Sequence, residues 1–121
     1  MKSGYAYIIT NKHHNVLYTG STVDLVKRVS QHKEHYYKGL FSDRYNCEYC
    51  VCFEEFPDYN SAIRRENQIK NMSRTEKLAL INNRNPEWRE LVTECGFCEK
   101  PTPWAEQVKR VMDELISSQH K

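Results

Sequence analysis

Six side chains have types and spacing that could do chemistry. Glu66 lies three and four residues from Ala62, Ile63 and Ile69, so a helix puts all four on one face. A carboxylate inside an apolar stripe is costly unless it is paired or holds a metal, or unless the stripe is offset and the carboxylate sits at its solvated edge. Arg28 and His32 are four apart, beside Leu25 and Val29. One helix face therefore presents a guanidinium fork, suited to phosphate oxygens, and an imidazole that can donate to or accept from a reacting oxygen. Otherwise they are a surface arginine and a half-buried histidine. Tyr5 and Tyr7 alternate onto one strand face, and Tyr18 follows on the next strand. Core packing is the ordinary use of such tyrosines. Together, two hydroxyls, an arginine, a histidine and a carboxylate could meet in one site.

The cysteines form a second pattern. Cys47, Cys50 and Cys52 read CxxCxC, and Cys95 and Cys98 read CxxC. Cys47, Cys50, Cys95 and Cys98 could hold structural Zn²⁺, although the gap between the pairs exceeds that of common zinc fingers. Small cysteines alternating on a buried strand are the plainer reading. An odd count does not make a disulfide framework.

These residues need elements to carry them. YAYIIT (5–10) is β-branched and aromatic, Asn11–Asn15 is a turn, and Val16–Thr19 is a second strand closed by Gly20. Ser21, Thr22 or Asp24 caps a helix over 24–36. Residues 37–49 read as a loop and Cys50–Phe56 as a third strand ended by Pro57. Asp58 or Asn60 starts a helix over 59–71, and Ser73 or Thr75 starts another through Leu78, Leu80 and Ile81. Pro86 can open a fourth, short helix carrying Trp88 and Leu91. Thr102-Pro103 opens a terminal amphipathic helix with Val108, Val111, Met112 and Leu115, which would pack on the domain or on a partner. The order β-β-α-β-α-α predicts a mixed αβ fold. It is a small three-stranded antiparallel sheet flanked by helices, in a domain over 1–91 with a C-terminal helical extension over 92–121.

Composition bounds the function. The 121 residues are one domain's worth, and no stretch is apolar and long enough to span a membrane. The first residues lack a secretory apolar run, so a cytoplasmic chain is expected. The net charge is only +2. Its distribution is uneven: residues 1–44 carry seven Lys/Arg against three Asp/Glu, residues 45–58 carry four acids and no base, and residues 59–90 carry seven bases against four acids. Two basic blocks flanking an acidic segment suit a localised basic face as well as ordinary solvated helices.

A family resemblance follows from the motifs in order. Tyr5-Ala6-Tyr7, then Tyr18-Thr19-Gly20, then Arg28, then Glu66 in a later helix resemble the GIY-YIG nuclease domain. The runs Ala6–Lys12, Val16–Gly20, Asp24–Arg28, Arg44–Cys47, Glu54–Phe56, Ala62–Glu66 and Asn85–Arg89 resemble its small, single-domain bacterial branch. The first motif reads Tyr-Ala-Tyr rather than Gly-Ile-Tyr, and the second Tyr-Thr-Gly rather than Tyr-Ile-Gly. Both keep the tyrosine. The resemblance implies a Mg²⁺- or Mn²⁺-dependent endonuclease acting on DNA, in processes such as DNA repair. Glu66 would be the metal ligand, Tyr7 the general base, Tyr18 a nucleophile-positioning group, and Arg28 the stabiliser of phosphate charge. His32 would assist the nucleophile, and Asn85 would match a late asparagine. Arg28, Lys33, Arg65, Lys70 and Arg74 would contact DNA. The competing readings are a non-catalytic DNA-binding or interaction module on the same fold, and a zinc-stabilised interaction protein built around the tail.

Overall fold

The computed structural model describes residues 3–34, 45–93 and 95–98. Three strands form one antiparallel sheet: β1 (Gly4–Thr10), β2 (Leu17–Thr22) and β3 (Tyr49–Phe56), with β1 in the middle and β2 at an edge. Helix α1 (Leu25–Lys33) follows β2, and α2 (Tyr59–Lys70) and α3 (Arg74–Arg84) follow β3. Two-residue strands β4 (Val92–Thr93) and β5 (Gly96–Phe97) make a small hairpin. The expected order β-β-α-β-α-α and the mixed αβ class hold. The terminal helix, the end of the expected first helix and most of the expected loop lie outside the described residues.

Local chemistry explains the boundaries. The Asn11 side-chain carbonyl accepts from the Asn15 and Val16 amides at 3.0 and 3.1 Å, closing the first hairpin as an Asx-type turn. Asp24, Asp58 and Ser73 cap the three helices, each accepting an amide from the first turn. Ser73 and Glu76 complete a reciprocal capping box.

Two departures from the sequence reading have clear causes. Gly20 does not end a strand: β2 runs on to Thr22, and Gly20 stands opposite Tyr7. The fourth short helix does not form. Residues 86–87 make a turn, and Trp88 takes a positive φ of 53°. The cause is Asn85, whose side chain accepts from the Arg89 amide and donates to the Arg89 carbonyl, bending the chain back before a helix can start.

The sheet divides two apolar clusters. Tyr7, Ile9 and Cys50 pack with Leu25 and Val29 of α1, Cys47, and Leu91 and Val92, with Tyr18, Phe53 and Phe97 against them. Ile8, Val51 and Cys52 pack with Ile69 of α2 and with Leu80 and Ile81 of α3. Fully buried aliphatic side chains such as Ile8, Ile81 and Val29 each stabilise the fold by about 1.5–3 kcal/mol. Pairing of β1 with β3 shifts register between Ile8 and Ile9, where Ile8 faces Cys52 and Ile9 faces Cys50. This bulge turns Val51 and Cys52 to the α2/α3 cluster and Cys50 to the α1 cluster. On the far side, α2 lies so close to β1 that a Cβ on Gly4 would stand 2.7 Å from the Tyr59 Cα. Val92 and Phe97 carry the α1-side cluster past residue 91.

Candidate functional site

Tyr7, Tyr18, Arg28 and His32 come together on the α1 face of the sheet. Tyr7 is at the centre, 1% exposed. Its ring passes under β2, where a Cβ on Gly20 would stand 2.5 Å from the phenolic oxygen. Only glycine fits there, so the second motif's glycine makes room for the first motif's tyrosine. His32, buried in the last turn of α1, places Nε2 3.2 Å from the Tyr7 hydroxyl. Its ring also packs edge-on against Tyr18, centroids 5.5 Å apart.

The electrostatics set the charge states. Burial and the neighbouring Tyr18 push the Tyr7 phenol well above the ordinary tyrosine range, while the charge of Arg28 and its hydrogen bond to the phenol pull the other way. Burial, reinforced by Arg28, lowers His32 to about 4. At neutral pH both groups are uncharged. The Tyr7 hydroxyl and the neutral His32 Nε2 share a hydrogen bond whose donor is set by the imidazole tautomer, while Arg28 donates to the Tyr7 oxygen.

Glu66 belongs to the other face. It projects from α2 toward edge strand β2, where the Ser21 hydroxyl donates to Oε1 and Lys70 Nζ reaches Oε2 at 2.6 Å. Tyr18 and Ser21 alternate to opposite faces of β2, so the two half-sites meet around this edge strand. Lys70 links them, because it feels Glu66 first and also Tyr18. The Glu66 carboxylate is half-buried and has one oxygen committed to a hydroxyl and one to a cation. That donor set suits a hard dication keeping most of its waters, since Mg²⁺ commonly takes one or two carboxylates. Among the described residues no three His, Cys, Asp or Glu side chains gather as metal ligands.

Other expected residues stand elsewhere. Arg65 is not at the surface. Its Nε donates to Glu54 at 2.6 Å in the core, so it is taken out of the expected DNA-contact set. The middle of the α2 stripe could be filled by position 65 or 66. The buried Glu54 of β3 decides for Arg65 and leaves Glu66 at the edge. Lys33 pairs with Glu90, and Arg74 donates to the Asn15 carbonyl at 2.8 Å at the hairpin turn. Asn85 is buried and binds backbone: Nδ2 donates to the Val51 and Arg89 carbonyls at 3.0 and 2.8 Å. Cys47, Cys50, Cys95 and Cys98, all among the described residues, do not gather as a zinc site. Cys47 and Cys50 are buried, whereas Cys95 and Cys98 are exposed. Burial holds Cys50 well above the ordinary thiol range and Cys47 at about 11, which opposes the thiolate that zinc requires.

Two participants escaped the sequence reading. Ser21 was legible only as a helix-cap candidate, and Gly20 only as a strand end and the last residue of the second motif. Their roles depend on what crosses from α2 and β1. The Glu66–Lys70 spacing of four was the available signal for that pair.

Relatives give the arrangement its place. The chain is 37% identical over 87 residues to a UPF0213 protein of Syntrophus aciditrophicus, covering 72% of this chain and 98% of that one. It is 34% identical over 85 residues to a UPF0213 protein of Staphylococcus haemolyticus, covering 69% and 100%. The solution NMR structure of a UPF0213 protein from Bacillus halodurans matches with a TM-score of 0.47 and 25% identity over 73% of this chain and 92% of that one. A family model described as the GIY-YIG catalytic domain matches residues 3–79, and the chain therefore belongs to the GIY-YIG family.

Proposed function

We propose that this protein is a divalent-metal-dependent endonuclease that hydrolyses DNA phosphodiester bonds at the site around β2. The observation that carries the reading is the cluster of Tyr7, Tyr18, Arg28 and His32, with Glu66 held beside the same strand. Glu66 would hold Mg²⁺ or Mn²⁺, which when bound supplies relief of charge on the scissile phosphate. Arg28 binds a phosphate oxygen and offsets the charge that grows on it in the transition state. Tyr7 is a poor base by itself, because its phenol holds its proton far above neutral pH. A relay avoids a free phenolate: as the Tyr7 oxygen takes a proton from the attacking water, its own proton passes to His32 Nε2, 3.2 Å away, and leaves again because burial and Arg28 disfavour the imidazolium. Tyr18, partly exposed and packed on His32, positions the water. Arg28 and Lys70 supply cations at the DNA surface, and both basic blocks of the chain contribute to it.

The test is a nicking assay on plasmid and branched DNA with Mg²⁺ or Mn²⁺. Glu66→Ala and Arg28→Ala should each lose cleavage by at least ~10²-fold, the scale of losing a transition-state contact, with circular dichroism unchanged. Wild-type-like cleavage by either variant would refute the assignment. DNA binding without cleavage by the wild type would favour the non-catalytic module.

A further inference from the structure

We propose that Lys70 is a built-in counter-ion which a divalent cation must displace from Glu66, so that Lys70 sets the metal affinity of the free chain. Ser21 keeps the carboxylate aimed while the exchange happens. The proposal rests on Glu66 being the metal ligand and goes beyond it, because it concerns what occupies the carboxylate when no metal does.

Three observations carry it. First, the ammonium lies 2.6 Å from Oε2, within the space a cation bound to that oxygen would use. Two cations cannot share that place without strong repulsion. Second, the two partners differ in mobility of environment. The Glu66 side chain is 16% exposed and tied by Ser21, whereas the Lys70 side chain is 51% exposed at the end of α2. The lysine can swing into water on its four-carbon stem while the carboxylate stays. Third, the oxygens are divided. Ser21 donates to Oε1, so loss of Lys70 frees Oε2 alone and leaves the carboxylate oriented. An ordinary helix-stabilising pair explains the spacing of four, but it predicts nothing about metal.

The experiment is titration of the full chain with Mn²⁺ in the absence of DNA, reading free Mn²⁺ by electron paramagnetic resonance. Lys70→Met should bind Mn²⁺ roughly five-fold more tightly than wild type, the upper range for an exposed pair. Lys70→Arg should remain within about two-fold of wild type, since the charge is kept. The gap between Lys70→Met and wild type should narrow at high salt. Ser21→Ala should weaken binding in both backgrounds. Equal or weaker binding by Lys70→Met, with binding destroyed by Glu66→Gln, overturns the exchange and leaves the ligand assignment standing. Binding that survives Glu66→Gln, or is absent from every variant, overturns both.

Discussion

At the scale of single residues, the site is governed by what burial does to protons. His32 has a folded value of about 4 against an ordinary 6.5, chiefly because it is buried and secondarily because Arg28 is near. The groups facing it are Tyr7, Tyr18 and Arg28. A histidine lowered in the folded state leaves the unfolded chain holding more protons between these two values. Stability should therefore be unaffected by His32 above pH 6.5 and should fall as pH drops toward 4, by up to about 3 kcal/mol. Below pH 4 the penalty is complete. Denaturant melts from about pH 8 down to pH 4 measure this, and His32→Gln should flatten the slope across that window. A slope equal to wild type would reject the assigned protonation. The same residue scale explains Gly20, whose missing Cβ lets the Tyr7 hydroxyl sit where both Arg28 and His32 reach it.

At the scale of elements, Asn85 sets how α3 ends. Asn85 caps the helix, ties it to β3 through the Val51 carbonyl, and closes the following turn on Arg89. Deleting it leaves buried carbonyls without donors, at about 1–3 kcal/mol. Asn85→Ala should therefore lower the midpoint of urea unfolding by an amount in that range. The residual cleavage per folded molecule should stay near wild type. Loss of cleavage with an unchanged midpoint would instead put Asn85 in the chemistry. The family resemblance pointed to Asn85 as a late asparagine, and the sequence placed a short helix opening at Pro86 just after it. The error is physical: Pro86 is a good first-turn residue, yet an asparagine just before it can capture the backbone it would need.

At the scale of the whole molecule, β3, α2 and α3 are joined by a buried ion cluster. Glu54, wholly buried, accepts from Arg65 Nε and from Arg84 Nη1, each at 2.6 Å. Glu54→Ala would leave two inward guanidinium groups without the carboxylate they share. The expected loss of unfolding free energy is about 3–5 kcal/mol. The triple variant Glu54→Leu, Arg65→Met, Arg84→Met restores packing in place of charge and should recover much of that loss. A loss under about 1 kcal/mol in Glu54→Ala, measured by chemical denaturation, would show that the cluster is not what holds the helices to the sheet.

The sequence by itself determined the order β-β-α-β-α-α, a short set of candidates for each helix cap and the family, because these depend on short-range periodicity and on residue types a few positions apart. Tyr7, Tyr18, Arg28, His32 and Glu66 were all legible in that way. Only the tertiary structure decided which of Arg65 and Glu66 faces the core, since that choice needs Glu54, eleven residues before Arg65 on strand β3. It also decided that Cys50 and Cys52 part across a bulge, and that Ser21 and Lys70 divide the Glu66 carboxylate between them. Each of these is a pairing across elements, where a single side chain's fate is set by the charge or space that a distant strand or helix brings to it.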